Sequence, residues 1–320
     1  MTILCTGSVA FDYLMSFPGY FKDHILPEKL ESISLSFLVD SMVRQRGGIA
    51  PNIAYNLALL GEKPRLLATV GEDFEEYRAW LEQHGVDTRC VKVINGKYTA
   101  SFFANTDKSN AQIASFYAGA MANAAELHIA DAQKGDISLV VISPNDPAAM
   151  DQYVNECKKM KIPYLYDPSQ QIVRMDKDML CNGVEGADSL FVNEYEFDLL
   201  QNATGLKADD IRRKVRFMVV TQGKEGALVY ADDKEYVIPI FPPVEIQDPT
   251  GVGDAFRGGF LRGLTLGLDW QTCGQMGSLS ATYCLERRGT QNHAYTPQEY
   301  INRYRTRFDD RGALDTLLNS

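Results

Sequence analysis

The segment Asp248-Pro249-Thr250-Gly251-Val252-Gly253-Asp254, followed by AFRGGFLRGL, holds the residues of this 320-residue chain best suited to chemistry. Its glycines permit a tight turn and a close approach of backbone to a ligand. A helix is expected to begin near Gly253-Asp254, which leaves its first amides without intrahelical partners. Those amides and the helix dipole make an anion site. Asp254 falls in the first turn, where the dipole favours its ionised form. A carboxylate beside an anion site is poorly placed for binding alone. It is well placed to take a proton from an attacking hydroxyl while the amides hold a transferring phosphoryl group. Pro249 keeps Asp248 extended and so fixes the entry into the turn. Taken by itself, Gly251-x-Gly253 is more often an ordinary glycine-rich helix start.

The elements that must position this segment follow a strand, turn, helix rhythm. Strands are expected at 3–5, 65–70, 138–142, 162–166, 189–192 and 216–220. Helices are expected at 73–84, closed by Gly85, and near 147–160, 171–182 and 194–201. Continuous apolar strands between helices predict an α/β fold with a mostly parallel sheet covered on both faces. Two stretches depart from the rhythm. Residues 32–37 (SISLSF) alternate with period two, which predicts a half-buried antiparallel strand. Residues 97–104 and 111–118 flank the polar turn 105–110 and read as a hairpin. Together these predict a small antiparallel β lid, built from about 13–46 and 97–118, within one domain spanning 1–320. Its open face would shut over a ligand or pair with a second copy, so the chain is expected as a monomer or a lid-paired homodimer.

Composition narrows the function further. Thirty-two basic residues against 42 acidic ones leave a net charge of -10, opposite to a general nucleic-acid binder. No apolar run approaches the ~18 residues of a membrane span. The six cysteines, Cys5, Cys90, Cys157, Cys181, Cys273 and Cys284, show neither zinc spacing nor a disulfide framework. With no signal-peptide pattern at the start, reduced thiols in a cytoplasmic protein are expected. There is no G-x-x-x-x-G-K-[ST] and no H-R-D or D-F-G set. Phe256 stands where a dinucleotide fingerprint needs its third glycine. His24, His84, His128 and His293 form no ligand spacing.

DPTGVGDAFRGGF resembles the C-terminal motif of the ribokinase-like (PfkB) carbohydrate and nucleoside kinases. GSVAFD, GGIAPN, AGAM, NEYE and TQGKEGA follow in that family's order over almost the whole chain. The resemblance implies a ribokinase-like three-layer sandwich with a β lid. It implies Asp254 as catalytic base, with Gly251, Val252 and Gly253 as the anion hole. Asp12 would accept hydrogen bonds from two ribose hydroxyls, with Ser8, Gly47, Gly48 and Asn52 completing the sugar site. Gly47-Gly48 would let backbone meet the sugar closely, and Pro51 suits a first helical turn. Asn193 and Glu196, at i and i+3 on one helix face, would position magnesium through water, with Asn193 also near phosphate. Thr221, Gly223 and Gly226 match the nucleotide loop, though these glycines serve equally as a hairpin turn. The small residues of 277–284 would lie against adenine or form a packed helix interface. Carbonyls around Asp248, Thr250 and Gly289 could hold a monovalent cation such as K+.

The implied reaction is transfer of the γ-phosphoryl of MgATP to an alcohol. Asp248-Pro249-Thr250, the run from Asn110 to Met121 and Asp167-Pro168-Ser169-Gln170 resemble the adenosine and nucleoside kinase branch, Ser169 replacing a glycine. Phe116 and Met121 would bracket a purine or simply fill the lid core. The acceptor is thus expected to be a nucleoside 5′-hydroxyl, with a free sugar such as ribose or fructose as the alternative.

Overall fold

Runs of buried apolar residues form the central strands of a nine-stranded sheet in the computed structural model, which describes residues 2–32, 34–132 and 137–319. In chain order the strands are β1 (Thr2–Thr6), β2 (Ala10–Ser16), β3 (Ser41–Gly47), β4 (Arg65–Val70), β5 (Asp87–Val93), β6 (Ala100–Thr106), β7 (Gln112–Tyr117), β8 (Ile137–Ile142), β9 (Tyr164–Tyr166), β10 (Ser189–Asn193), β11 (Phe217–Thr221), β12 (Ala227–Ala231) and β13 (Lys234–Ile238). The large sheet runs β13-β12-β11-β10-β9-β8-β1-β4-β5. Every neighbouring pair from β5 to β11 is parallel, and the β11–β12 and β12–β13 pairs are antiparallel.

The α-helices among the described residues are α1 (Ile49–Leu59), α2 (Glu75–Gln83), α3 (Pro147–Met160), α4 (Lys177–Val184), α5 (Glu194–Thr204), α6 (Ala208–Arg212), α7 (Val252–Thr265), α8 (Trp270–Leu285) and α9 (Pro297–Tyr304). Successive strand residues point to opposite faces, and two cores result. Ile3 and Cys5 of β1 pack with α1, α2, α7 and α8. Leu4 between them packs with α3, α4, α5 and α6. These are the three layers expected. The six cysteines are unpaired thiols.

The small residues of 277–284 pack helices and loops. Ser278 donates to the Pro239 carbonyl (2.9 Å) and accepts from the Phe241 amide (2.6 Å). Thr282 donates to the Phe241 carbonyl (2.6 Å), and a Cβ on Gly277 would come within 2.9 Å of the Phe256 carbonyl of α7. The packed interface of this stretch is therefore present.

The second sheet runs β3-β2-β6-β7. Its outer pairs are antiparallel, and its central β2–β6 pair is parallel. The strand expected at 32–37 does not form. Residues 27–32 make 3-10 turns, Ile33 lies outside the described residues, and 34–39 are irregular. Phe37 instead packs its ring 5.0 Å from Phe17 and 4.9 Å from Phe21, which anchors a loop. The pairing strand is Ser41–Gly47. It carries no apolar alternation: Arg44 and Arg46 lie over the rings of Phe11 (3.7 Å) and Trp80 (3.8 Å), Arg46 half-buried and Arg44 exposed.

Candidate active site

Helix α7 starts where the carboxyl ends of β9, β10 and β11 open, the usual ligand position in such sheets. Gly251 caps it in the left-handed region (φ 76°), which a Cβ would strain. Gly253 needs another explanation, because it is absent from the positive-φ residues. A Cβ there would lie 2.9 Å from Nη1 of Arg257. The amides of Gly253 and Asp254 find no acceptor among the described residues, so they are free to bind an anion.

Asp254 sits in this first turn. Burial pushes its carboxyl up to about 6, while Arg257 and a hydrogen bond from Asn52 pull against that rise. Nδ2 of Asn52 donates to its Oδ2 at 2.8 Å. The Asn52 amide is itself held: Nε2 of Gln291 donates to its Oδ1 at 2.9 Å and also reaches the Tyr77 hydroxyl at 2.5 Å. Tyr77 in turn donates to the Gly47 carbonyl at 3.0 Å. A buried relay therefore runs from β3 to Asp254. Gln291 and Tyr77 escaped the sequence reading because no local spacing links them to Asp254.

Asp12 lies on β2, immediately after the β1 exit that contains Ser8. The Ser8 hydroxyl receives the Ile49 amide at 3.4 Å, which ties this exit to the start of α1. The paired glycines next to Asp12 have a structural cause. A Cβ on Gly47 would lie 2.6 Å from the Asp12 carboxylate, and one on Gly48 (φ 97°) 2.5 Å from the Ser8 carbonyl. They make room for Asp12 and for crossing backbone. Burial, and then the charge of Asp248, push Asp12 up to about 6.

A cleft of about 190 Å³ joins Asp254, Gly251 and Gly253 to Ile49, Asp167, Ser169, Asn193, Glu196, Thr221 and Arg257. Asn193 and Glu196 form a reciprocal cap of α5. The Asn193 side chain accepts the Glu196 amide (2.8 Å), and Glu196 accepts the Asn193 amide (2.8 Å). The other Glu196 oxygen accepts from Ser169 (2.9 Å). Thr221 ends β11. Gly223 (φ 56°) and Gly226 (φ 101°) make the β11–β12 turn, where a Cβ on Gly226 would strike the Ile238 carbonyl.

Asp248 draws Thr250 and Gly289 together, accepting both amides at 2.9 Å. Among the described residues no group of three or more His, Cys, Asp or Glu could hold a metal ion. No described helix is long and apolar enough to cross a membrane.

The sequence profile of the pfkB family carbohydrate kinases matches residues 13–297. The chain belongs to that family. It is accordingly a phosphotransferase with an alcohol group as acceptor. Among its relatives, the nucleoside kinase of Methanothermobacter thermautotrophicus is 31% identical over 94% of this chain and 95% of its own. The nucleoside kinase of Methanocaldococcus jannaschii is 29% identical over 94% and 96%. The structure of the Burkholderia thailandensis nucleoside kinase in complex with inosine superposes with a TM-score of 0.85 at 35% identity, covering 96% of this chain and 98% of that one. Its complex with ADP-inosine gives a TM-score of 0.83 at 36% identity, covering 96% of both.

In this pfkB protein the small sheet carries the aromatic side chains expected near a base. Paired residues of neighbouring strands share a face. Asp12 pairs with Gln45 and Phe102, and Phe102 with Phe116, so all four line one face. Phe116 is exposed there, whereas Met121 is buried against Ala10 and Ala100 at the base of that face. Phe102 and Gln45 were missed by sequence reading, although their strand partnership with Asp12 would have marked them. Arg257 and Asp167 were also missed as a pair. They form a buried ion pair, Nε to Oδ2 at 2.7 Å and Nη2 to Oδ1 at 3.0 Å.

Proposed function

We propose that this protein is an ATP-dependent nucleoside kinase, adenosine kinase-like, that transfers the γ-phosphoryl group to the 5′-hydroxyl and yields a nucleoside 5′-monophosphate and ADP. The observation that carries the reading is Asp254 at a helix start with free amides, fixed by Asn52 and opening into a cleft that Thr221 also borders. The similarity to nucleoside kinases, one of them bound to inosine, supports the acceptor class.

In this scheme Asp12 accepts hydrogen bonds from two ribose hydroxyls, which aims the 5′-hydroxyl at Asp254. Ser8, Gly47, Gly48 and Asn52 frame that sugar site. The base stacks under Phe116 and Phe102, with Met121 behind it. Asp254, with its carboxyl near 6, is ionised at neutral pH and accepts the hydroxyl proton as the oxygen attacks. The Gly251, Val252, Gly253 and Asp254 amides neutralise charge developing on the phosphoryl oxygens. Thr221, Gly223 and Gly226 carry the nucleotide. Closure of the small sheet excludes water that would otherwise hydrolyse ATP.

Glu196 faces the cleft with both oxygens already accepting protein donors. That suits a magnesium ion that keeps its waters, reached through them by Asn193 and Glu196. Such an ion supplies charge neutralisation on phosphate oxygens. Asp248, Thr250 and Gly289 are the residues that would meet a monovalent cation.

The test is a panel of adenosine, inosine, guanosine, cytidine, ribose and fructose with MgATP, read as 5′-monophosphate and ADP formation. A nucleoside should exceed every free sugar in kcat/KM. A free sugar at the head of the panel would replace this reading with that of a sugar kinase. Repeating the assay with and without K+ tests the cation.

A further inference from the structure

We propose that Arg257 is a catalytic residue of the phosphoryl transfer, its guanidinium meeting the γ-phosphoryl group beside the free α7 amides while Asp167 holds it in place. Arg257 lies three residues after Asp254, on the same helix face. Long helical side chains lean toward the helix N-terminus, so this one reaches back along α7 to its first turn. Nη1 lies 2.9 Å from the point where a Gly253 Cβ would stand. The backbone of Gly253 does not require glycine. The missing side chain leaves room for the guanidinium beside the anion site.

Asp167 engages only one edge of that guanidinium, through Nε and Nη2. Nη1 makes no hydrogen bond among the described residues, and Arg257 lines the cleft. Stability alone gives little reason for such a pair, because burying two charges is seldom better than apolar packing. The cleft supplies a reason. Its described lining holds three carboxylates, Asp167, Glu196 and Asp254, and Arg257 as its one basic side chain. A polyphosphate entering it meets net negative charge, and Arg257 is the fixed cation this chain offers in return.

The bonding changes leave Arg257 intact. The acceptor oxygen bonds to the γ-phosphorus, the bridge to the β-phosphate breaks, and ADP leaves with that electron pair. The acceptor proton goes to Asp254. Arg257 offsets charge on the peripheral oxygens of the group in flight.

The proposal rests on the phosphotransfer reading of this cleft, not on the identity of the acceptor, and the test needs none at its first step. MgADP and MgAMP-PNP are titrated calorimetrically into the wild type and Arg257→Gln. MgADP affinity should stay within about threefold, and MgAMP-PNP affinity should fall at least ~10-fold, as for loss of a charge-assisted hydrogen bond. Turnover of whichever acceptor the wild type uses should fall by ~10³ or more, with Arg257→Lys between the two. An equal change for both nucleotides, or turnover within about threefold of wild type, would overturn the proposal. Because Arg257→Gln leaves Asp167 buried and unpaired, the Asp167→Asn/Arg257→Gln double variant carries the same readout if the single one fails to fold. A wild type inactive on nucleosides would fault the acceptor assignment, while a loss confined to the γ-phosphate analogue would still support Arg257.

Discussion

Asn52→Leu isolates the link between the buried relay and the proposed base. Leucine keeps the bulk of a side chain that is 3% exposed and removes the donor 2.8 Å from Asp254. A hydrogen bond to a buried charge is worth about 1.5–3 kcal/mol. One pKa unit corresponds to about 1.4 kcal/mol, so Asp254 should move up by roughly one to two units. Its starting value is about 6. At pH 7 the ionised fraction would then drop from about 90% to roughly 10–50%. The active form is the deprotonated one, so activity is lost as pH falls through the carboxyl's pKa.

The assay is kcat/KM for the preferred nucleoside between pH 5 and 9.5 at saturating MgATP. The wild type should show an acid limb centred near 6. Asp12 also titrates near 6, so that limb can be steeper than one proton. In Asn52→Leu one of the two steps should move to higher pH. The deficit should be about two- to ninefold at pH 7 and should shrink toward pH 9. Any contact of Asn52 with the sugar would add a pH-independent factor. A variant profile parallel to wild type, with an unmoved midpoint, would refute the reasoning.

Asp254→Asn should keep nucleoside binding by calorimetry within about threefold and lose roughly 10²–10⁴ in kcat by coupled ADP release. Asp12→Ala should raise the nucleoside KM by about 10–100-fold, the worth of hydrogen bonds to a charged acceptor, while changing kcat much less. Gly251→Ala must place a Cβ in the left-handed region, 2.8 Å from Cγ2 of Thr290. The backbone term alone is about 1–2 kcal/mol, so calorimetry should show Tm lowered by at least ~1.5–3 °C.

The centre of the parallel body was legible because its strands are buried on both faces and read as unbroken apolar runs, whereas the edge strand β5, DTRCVKV, is half-exposed and polar and was not. Arg65–Val70 is buried at all six positions, even at its arginine. The small sheet was legible only in part. Its β3 strand, SMVRQRG, is mostly exposed and carries two cations on aromatic rings, so it has no apolar alternation to read, while the cleaner alternation at 32–37 is a loop held by Phe37. The same division runs through the site. Asp254 and its glycines lie within one local turn whose chemistry can be read from spacing. Its partners cannot: Asn52 is 202 positions away, and Gln291 is 239 from Asn52. The Asn193–Glu196 spacing was visible as a shared helix face, but its geometry is a reciprocal cap, which needs the helix boundary to be known.

Three carboxyls of the site, Asp12 on the small sheet and Asp167 and Asp254 in the cleft, are all pushed up by burial. A carboxyl raised on folding contributes stability that is full below its unfolded pKa and lost as pH rises through the folded one. At neutral pH these groups therefore oppose folding, and their arrangement is explained by function rather than by stability. For Asp254 the rise from 3.8 to about 6 corresponds to roughly 2–3 kcal/mol at pH 7. Asp254→Asn removes that charge from a largely buried position and keeps its shape, so it should melt higher than wild type at pH 7 by several degrees. The advantage should shrink as pH falls through 6 and be small by pH 4, where the folded carboxyl is protonated and the unfolded one about half so. Calorimetric melts of both proteins from pH 4 to 8 would check this. A variant less stable than wild type at pH 7, or an advantage constant across that range, would show that Asp254 is not held against its own ionisation.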